Sequence, residues 1–167
     1  MGTDSSSTLV LGVGNTLMSD DGVGVRLMER LRDERPELPG VTFLDAGTLS
    51  FVLLPQIQDC GSLLVLDAAQ LGSGPGSFRH FEGTQMDDFL RTARCSVHEV
   101  GIRDLLDLAR LTGTLPARRA FVGIQPAETG WGESLSAPVA AALPRAAGVA
   151  RGLLASWRQP GQSQTRS

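Results

Sequence analysis

Apolar and polar positions follow two rhythms along this chain. Residues 8–13 (TLVLGV) run apolar and end at glycine, as a strand buried on both faces does. Residues 22–34 (GVGVRLMERLRDE) place Val23, Leu27 and Leu31 at i, i+4 and i+8 among charges, which predicts an amphipathic helix. ELPG breaks the pattern, and VTFLD (41–45) reads as a second strand. SFVLLPQIQDC (50–60) has helical spacing, against which Pro55 works. LLVLDAA (63–69) is a third strand, apolar up to Asp67. After the turn GSGPG (72–76), SFRHFEG (77–83) alternates like an exposed or edge strand. QMDDFLRTA (85–93) predicts a short helix. SVHE (96–99) has the S-x-x-E spacing of a capping box and opens a helix to about Leu111. ARRAFVGIQP (117–126) is the last strand and AETGWGESLSA (127–137) a loop. From Pro138 to Trp157 the chain is rich in Ala and Leu and helical, with a step expected at Pro144.

Strands alternating with helices predict an α/β fold: three layers, with a twisted, mostly parallel sheet of about five strands and helices on both faces. One domain is expected over residues 8–158, with disordered ends at 1–7 and 159–167. In such sheets the functional crevice lies beyond the carboxyl ends of the strands.

Composition narrows the function. The 167 residues are 41% hydrophobic, enough for a core without disulfide or metal staples. The net charge of −3 includes no basic stripe, and Tyr is absent, so no nucleic-acid partner is expected. The two cysteines, Cys60 and Cys95, form no CxxC. The start, MGTDSSST, has no signal-peptide pattern, and no apolar run is long enough to span a membrane. The expectation is a cytoplasmic monomer that does not engage a membrane.

The strand ends carry the chemistry. Asn15, Asp20 and Asp21 follow the first strand, Asp45 ends the second and Asp67 the third, while His98 opens a later helix. GVG after an apolar strand is how a dinucleotide loop begins, but Leu17 stands where G-x-G-x-x-G needs its third glycine. Two carboxylates beside the helix start would also repel a pyrophosphate. No nucleotide cofactor is therefore expected. Asp21, Asp67 and His98 instead offer two hard oxygen donors and one imidazole, a set that suits Zn²⁺ or Ni²⁺. Plainer roles compete: Asp20 or Asp21 as a helix cap, Asp67 as a turn residue, His98 as a satisfied structural histidine. The helix dipole disfavours a protonated imidazole at His98 but not a neutral one, the form a metal needs. His80 reads as exposed, and Cys95, three residues before His98, as a buried inert thiol. There is no GxSxG elbow and no HExxH.

Five segments in order, GVGNTLMSDDGVG (12–24), DAGT (45–48), VLDAA (65–69), SVHEVG (96–101) and VGIQP (122–126), closely resemble the [NiFe]-hydrogenase maturation endopeptidases. The resemblance runs from about residue 8 to 155. It implies a protease that removes a C-terminal extension from the hydrogenase large-subunit precursor once the nickel–iron site is loaded, with nickel carried by that substrate. It implies metal contact by Asp21, Asp67 and His98, and aligns the aspartate of the family's D-G-G-T with Asp45. Hydrolysis by a metal-activated water and general-base help from Asp45 or another carboxylate both fit. Two departures stand out. The first-loop acid is often Glu and here is the shorter Asp21, for which Asp20 could compensate; Ala46 replaces the first glycine of D-G-G-T. Two other classes would share parts of this pattern: a nickel-sensing chaperone that holds the precursor without cutting it, and a Rossmann-like nucleotide-binding protein. The loop 127–137, with Trp131, is the expected precursor contact.

Overall fold

The computed structural model describes residues 7–34, 38–47, 51–92 and 97–158. The elements alternate as the hydrophobic rhythm predicts: β1 (Thr8–Val13), α1 (Val23–Glu34), β2 (Val41–Gly47), α2 (Leu54–Asp59), β3 (Ser62–Ala68), β4 (Phe78–Glu82), α3 (Thr84–Leu90), α4 (Val97–Leu111), β5 (Arg118–Ile124) and α5 (Ala137–Arg158). Short 3-10 turns at Ser19–Gly22 and Phe51–Leu53 lead into α1 and α2. Pro55 is tolerated because it lies in the first turn of α2, where its missing N–H would have no helical partner.

The five strands form one sheet in the order β2-β1-β3-β5-β4. All neighbours pair in parallel except β4, which runs antiparallel along β5 as an edge strand. Strand alternation splits the interior into two cores. Val10, Leu64, Leu66, Ala120 and Val122 meet α1 and α5 on one face. Leu9, Leu11, Val13, Leu63, Val65 and Phe121 meet α2, α3 and α4 on the other. The three-layer α/β architecture follows from these two apolar faces, since each must be covered.

Two details depart from the sequence reading. The last helix continues through Pro144 without the expected step. Pro144 and Ala140, whose carbonyl loses its partner, both face solvent, and the buried face of Ala142, Ala146, Ala147 and Ala150 stays continuous. Ser7, expected in the disordered start, is tied to the sheet: its carbonyl accepts hydrogen bonds from the Gly61 and Ser62 amides. The remaining terminal residues, Thr48, Cys95 and the capping-box Ser96 lie outside the described residues.

The topology locates the site. From β1 the chain moves to β2 on one side, then returns past β1 to β3 on the other. The switch point is thus between the carboxyl ends of β1 and β3, where a crevice must open.

Candidate active site

The β1–α1 loop is folded tightly on itself. Gly14 has φ +123°, and a Cβ there would sit 1.9 Å from the Asp21 carbonyl oxygen. A Cβ on Gly24 would meet the Leu66 carbonyl oxygen at 2.1 Å, so α1 starts hard against β3. These glycines serve close packing of the chain, and the backbone of Asp21 fills the space above Gly14.

This packing brings three of the expected residues together. His98 Nδ1 lies 3.5 Å from Asp67 Oδ1 and 3.8 Å from Asp21 Oδ1. Asp67 ends β3, His98 opens α4, and Asp21 is held in its turn by the Asn15 amide, which donates to Oδ2 at 2.9 Å. Donor atoms sharing one ion at about 2.1 Å lie roughly 3 to 4 Å apart, so both separations suit a common cation. The side chains meet in pairs through His98: among the described residues, no three His, Cys, Asp or Glu close around one ion position.

Asp67 is the unusual member. Its side chain is fully buried, and among the described residues its carboxylate oxygens meet no hydrogen-bond donor beyond the His98 imidazole, 3.5 Å away. Burial pushes its pKa up to about 7; His98 opposes that shift, and the charges of Asp21 and Glu99 add to it. His98 is raised in turn, first by Asp67 and against its own burial, with Asp21 and Glu99 contributing. The neighbouring acids thus favour the protonated imidazole, opposite to the effect of the α4 N-terminus on a positive charge. Glu99, read from sequence as a capping residue, is buried beside this group and adds to its negative field.

Two expected carboxylates are not part of the group. Asp45 is exposed on the opposite side of the sheet. Phe43 packs on the α1/α5 core and Leu44 on the other, so strand alternation sends Asp45 away from the face that Asp67 shares with α4. Its Oδ1 accepts from the Gly47 amide at 2.8 Å and shapes the strand end. Asp20 cannot compensate for the short Asp21 and does not cap the helix. It is fully buried, and both its oxygens accept hydrogen bonds from residues 127–136. Burial alone would raise its pKa, but bonds from Ser136, Glu128 and Ala127 outweigh that and hold it below the usual value. No sequence spacing signals this role, because the partners lie more than a hundred residues away.

The other singled-out residues fall into place simply. His80 is half exposed and 3.7 Å from Glu82. The buried Cys60 donates to the Ile57 carbonyl, and burial pushes its thiol up to about 11, as for an inert residue. Trp131 is 81% exposed in the loop that Asp20 holds.

Comparison with known proteins defines the class first. The HybD hydrogenase maturating endopeptidase from E. coli superposes with a TM-score of 0.82 at 28% identity, covering 90% of this chain and 93% of that one. HybD from Thermococcus kodakarensis, a [NiFe] hydrogenase maturation protease, gives 0.75 at 30% identity over 89% and 99%. The molecule is an α/β peptidase. The family model for hydrogenase maturation proteases matches residues 25–152. The hydrogenase expression/formation protein HupM of Azotobacter chroococcum mcd 1 is 39% identical over 163 residues, covering 93% of this chain and 78% of HupM. The hydrogenase 2 maturation protease of Escherichia coli K12 is 36% identical over 120 residues, or 71% of this chain and 72% of that protein. The chain belongs to the hydrogenase maturation protease family. The nucleotide-binding and non-cleaving readings of the sequence give way to this membership.

Proposed function

We propose that this peptidase removes the C-terminal extension of a nickel-loaded [NiFe]-hydrogenase large-subunit precursor, and that it recognises the precursor through the metal. The observation that carries the reading is Asp67: a buried carboxylate with no donor among the described residues other than the imidazole beside it, and with a second carboxylate close by. Such a group is costly to keep charged unless a cation comes to it. Nickel in the substrate is that cation, with Asp21, Asp67 and His98 as its contacts. Precursor without metal lacks the main attraction, so selection is a difference of affinities between two forms of one protein. Metal contact also orients the scissile bond at the rim. Carboxylate assistance to the attacking water comes from this group rather than from Asp45, which faces away.

Docking requires a deprotonated imidazole and ionised Asp67, so it releases protons and weakens as pH falls through about 7. Trp131 and Leu17, exposed on joined loops next to Asp21, extend the contact to apolar parts of the precursor. The enzyme acts as a monomer in the cytoplasm. Among the described residues, no helix is long and apolar enough to cross a membrane.

Mass spectrometry of the precursor after incubation with the enzyme, with and without nickel loading, tests the reading. The expected result is loss of a C-terminal peptide from the loaded form only. Equal cleavage of both forms would remove nickel from recognition, and cleavage of neither would remove this substrate.

A further inference from the structure

Two loops that meet at the site are held by a device the metal-contact reading does not use. Asp20 is 0% exposed, and its carboxylate accepts four hydrogen bonds. Oδ2 takes the Ala127 amide at 2.9 Å, the Glu128 amide at 3.0 Å and the Ser136 hydroxyl at 2.7 Å. Oδ1 takes the Ser136 amide at 2.7 Å. Backbone bonds continue the seam. The Asp20 amide donates to the Glu128 carbonyl, Ser19 N–H to that of Gly132, and Gly132 N–H to that of Leu17. Ser19 adds its hydroxyl to the Gly130 carbonyl at 2.8 Å. It also takes φ +52°, a left-handed conformation uncommon for a residue with a side chain. That conformation persists where surrounding bonds over-determine it, as here.

Adjacent side chains therefore diverge. Asp20 turns inward to the distant segment, and Asp21 turns toward His98. The segment that Asp20 holds carries the exposed Trp131.

We propose that Asp20 is a positioning residue that locks segment 127–136 onto the loop bearing Asp21, so that Trp131 and the site carboxylate meet the precursor as one preorganised surface. The proposal rests on the substrate reading above for its kinetic consequence, but not for the lock itself. All four partners of Asp20 are donors, so a charged acceptor is required. In Asp20→Asn an amide N–H would face donors in either orientation. Freeing the segment raises the ordering cost of binding and leaves chemistry at a bound substrate largely intact. The effect belongs in KM.

The test combines hydrogen exchange with steady-state processing of nickel-loaded precursor, using the full chain and its Asp20→Asn and Ser136→Ala variants. For Asp20→Asn, protection of the Ala127, Glu128 and Ser136 amides falls at least about tenfold while amides of β3 keep theirs. KM rises about tenfold and kcat changes less than about threefold. Ser136→Ala, which deletes one bond of four, gives smaller changes in the same direction. If Asp20→Asn does not fold, Ser136→Ala decides alone by the same two readouts. Unchanged protection would overturn the lock, and lost protection with unchanged KM would overturn its role in recognition. Exchange needs no substrate. If wild type cleaves no precursor, the substrate reading fails while the exchange result still judges the lock.

Discussion

Asp67 and Asp87 are both largely withdrawn from water, and the molecule treats them in opposite ways. Asp87, on α3, receives Arg119 Nε at 2.9 Å and Nη2 at 2.6 Å, with Arg110 at 3.3 Å. Arg119 holds its pKa below the usual carboxylate value against partial burial, and Asp87 raises that of Arg119 in return. Asp67, at the end of β3, has no such donor among the described residues and is pushed up to about 7. Asp87 is a finished interaction that fastens helices to strands. Asp67 is an unfinished one, placed at the switch point of the sheet, where the proposed metal contact falls. A buried carboxylate left short of donors marks a site better than any count of acids does.

This comparison breaks most sharply at Asp67. Asp67→Asn and His98→Ala are each expected to reduce processing of loaded precursor by at least about a hundredfold while leaving the fold intact. Above pH 7 Asp67→Asn should melt no lower than wild type, because a neutral amide replaces a desolvated charge. A near-normal processing rate in both variants would rule out the metal-contact reading.

At Asp87 the outcome reverses. Asp87→Ala strands Arg119 with only 11% of its side chain in solvent. Stability should drop by about 2 to 3 kcal/mol, somewhat less than for a fully buried pair. Denaturant melts would show this, and kcat/KM of the remaining folded enzyme should stay within about threefold. Trp131→Ala comes next: KM is expected to rise about fivefold with kcat unchanged, as for loss of one interface anchor.

A smaller effect sharpens the contrast through pH. Asp67 keeps its proton in the folded protein up to about pH 7, although a free aspartate loses it near 3.8. The folded state then binds more protons than the unfolded one across that window. This contribution to stability is complete below about 4 and fades as pH rises through 7. His98 is raised above 6.5 and acts with the same sign, its contribution fading as pH passes its folded value. Melting temperatures between pH 4 and 8 should decline accordingly, and Asp67→Asn should flatten the curve. Smallest of all is Asp45→Asn, expected to slow processing less than about threefold, since its carboxylate only shapes a turn.

Much of the fold was legible because burial on two faces writes itself into local pattern. The apolar runs of β1 and β3, the alternation of β4 and the Val23, Leu27, Leu31 spacing of α1 all matched their elements. Pro144 misled because its effect depends on whether it faces water, which its neighbours in sequence do not reveal. The gathering of Asp21, Asp67 and His98 was legible through strand ends and family motifs. The separate fate of Asp45 was hidden in strand parity across a sheet.

Sequence by itself determined the α/β class, the order of elements, the family and the residue types at the rim, because these depend on short-range periodicity and short motifs. Tertiary structure alone decided which carboxylates come together. Asp20 and Asp21 are neighbours in the chain, yet one is consumed by four donors from a segment more than a hundred residues away and the other faces His98. Asp67 is set apart by the full shell of donors that it lacks among the described residues. Hydrogen-bond satisfaction and desolvation are properties of a three-dimensional neighbourhood, and they assign different roles to identical side chains.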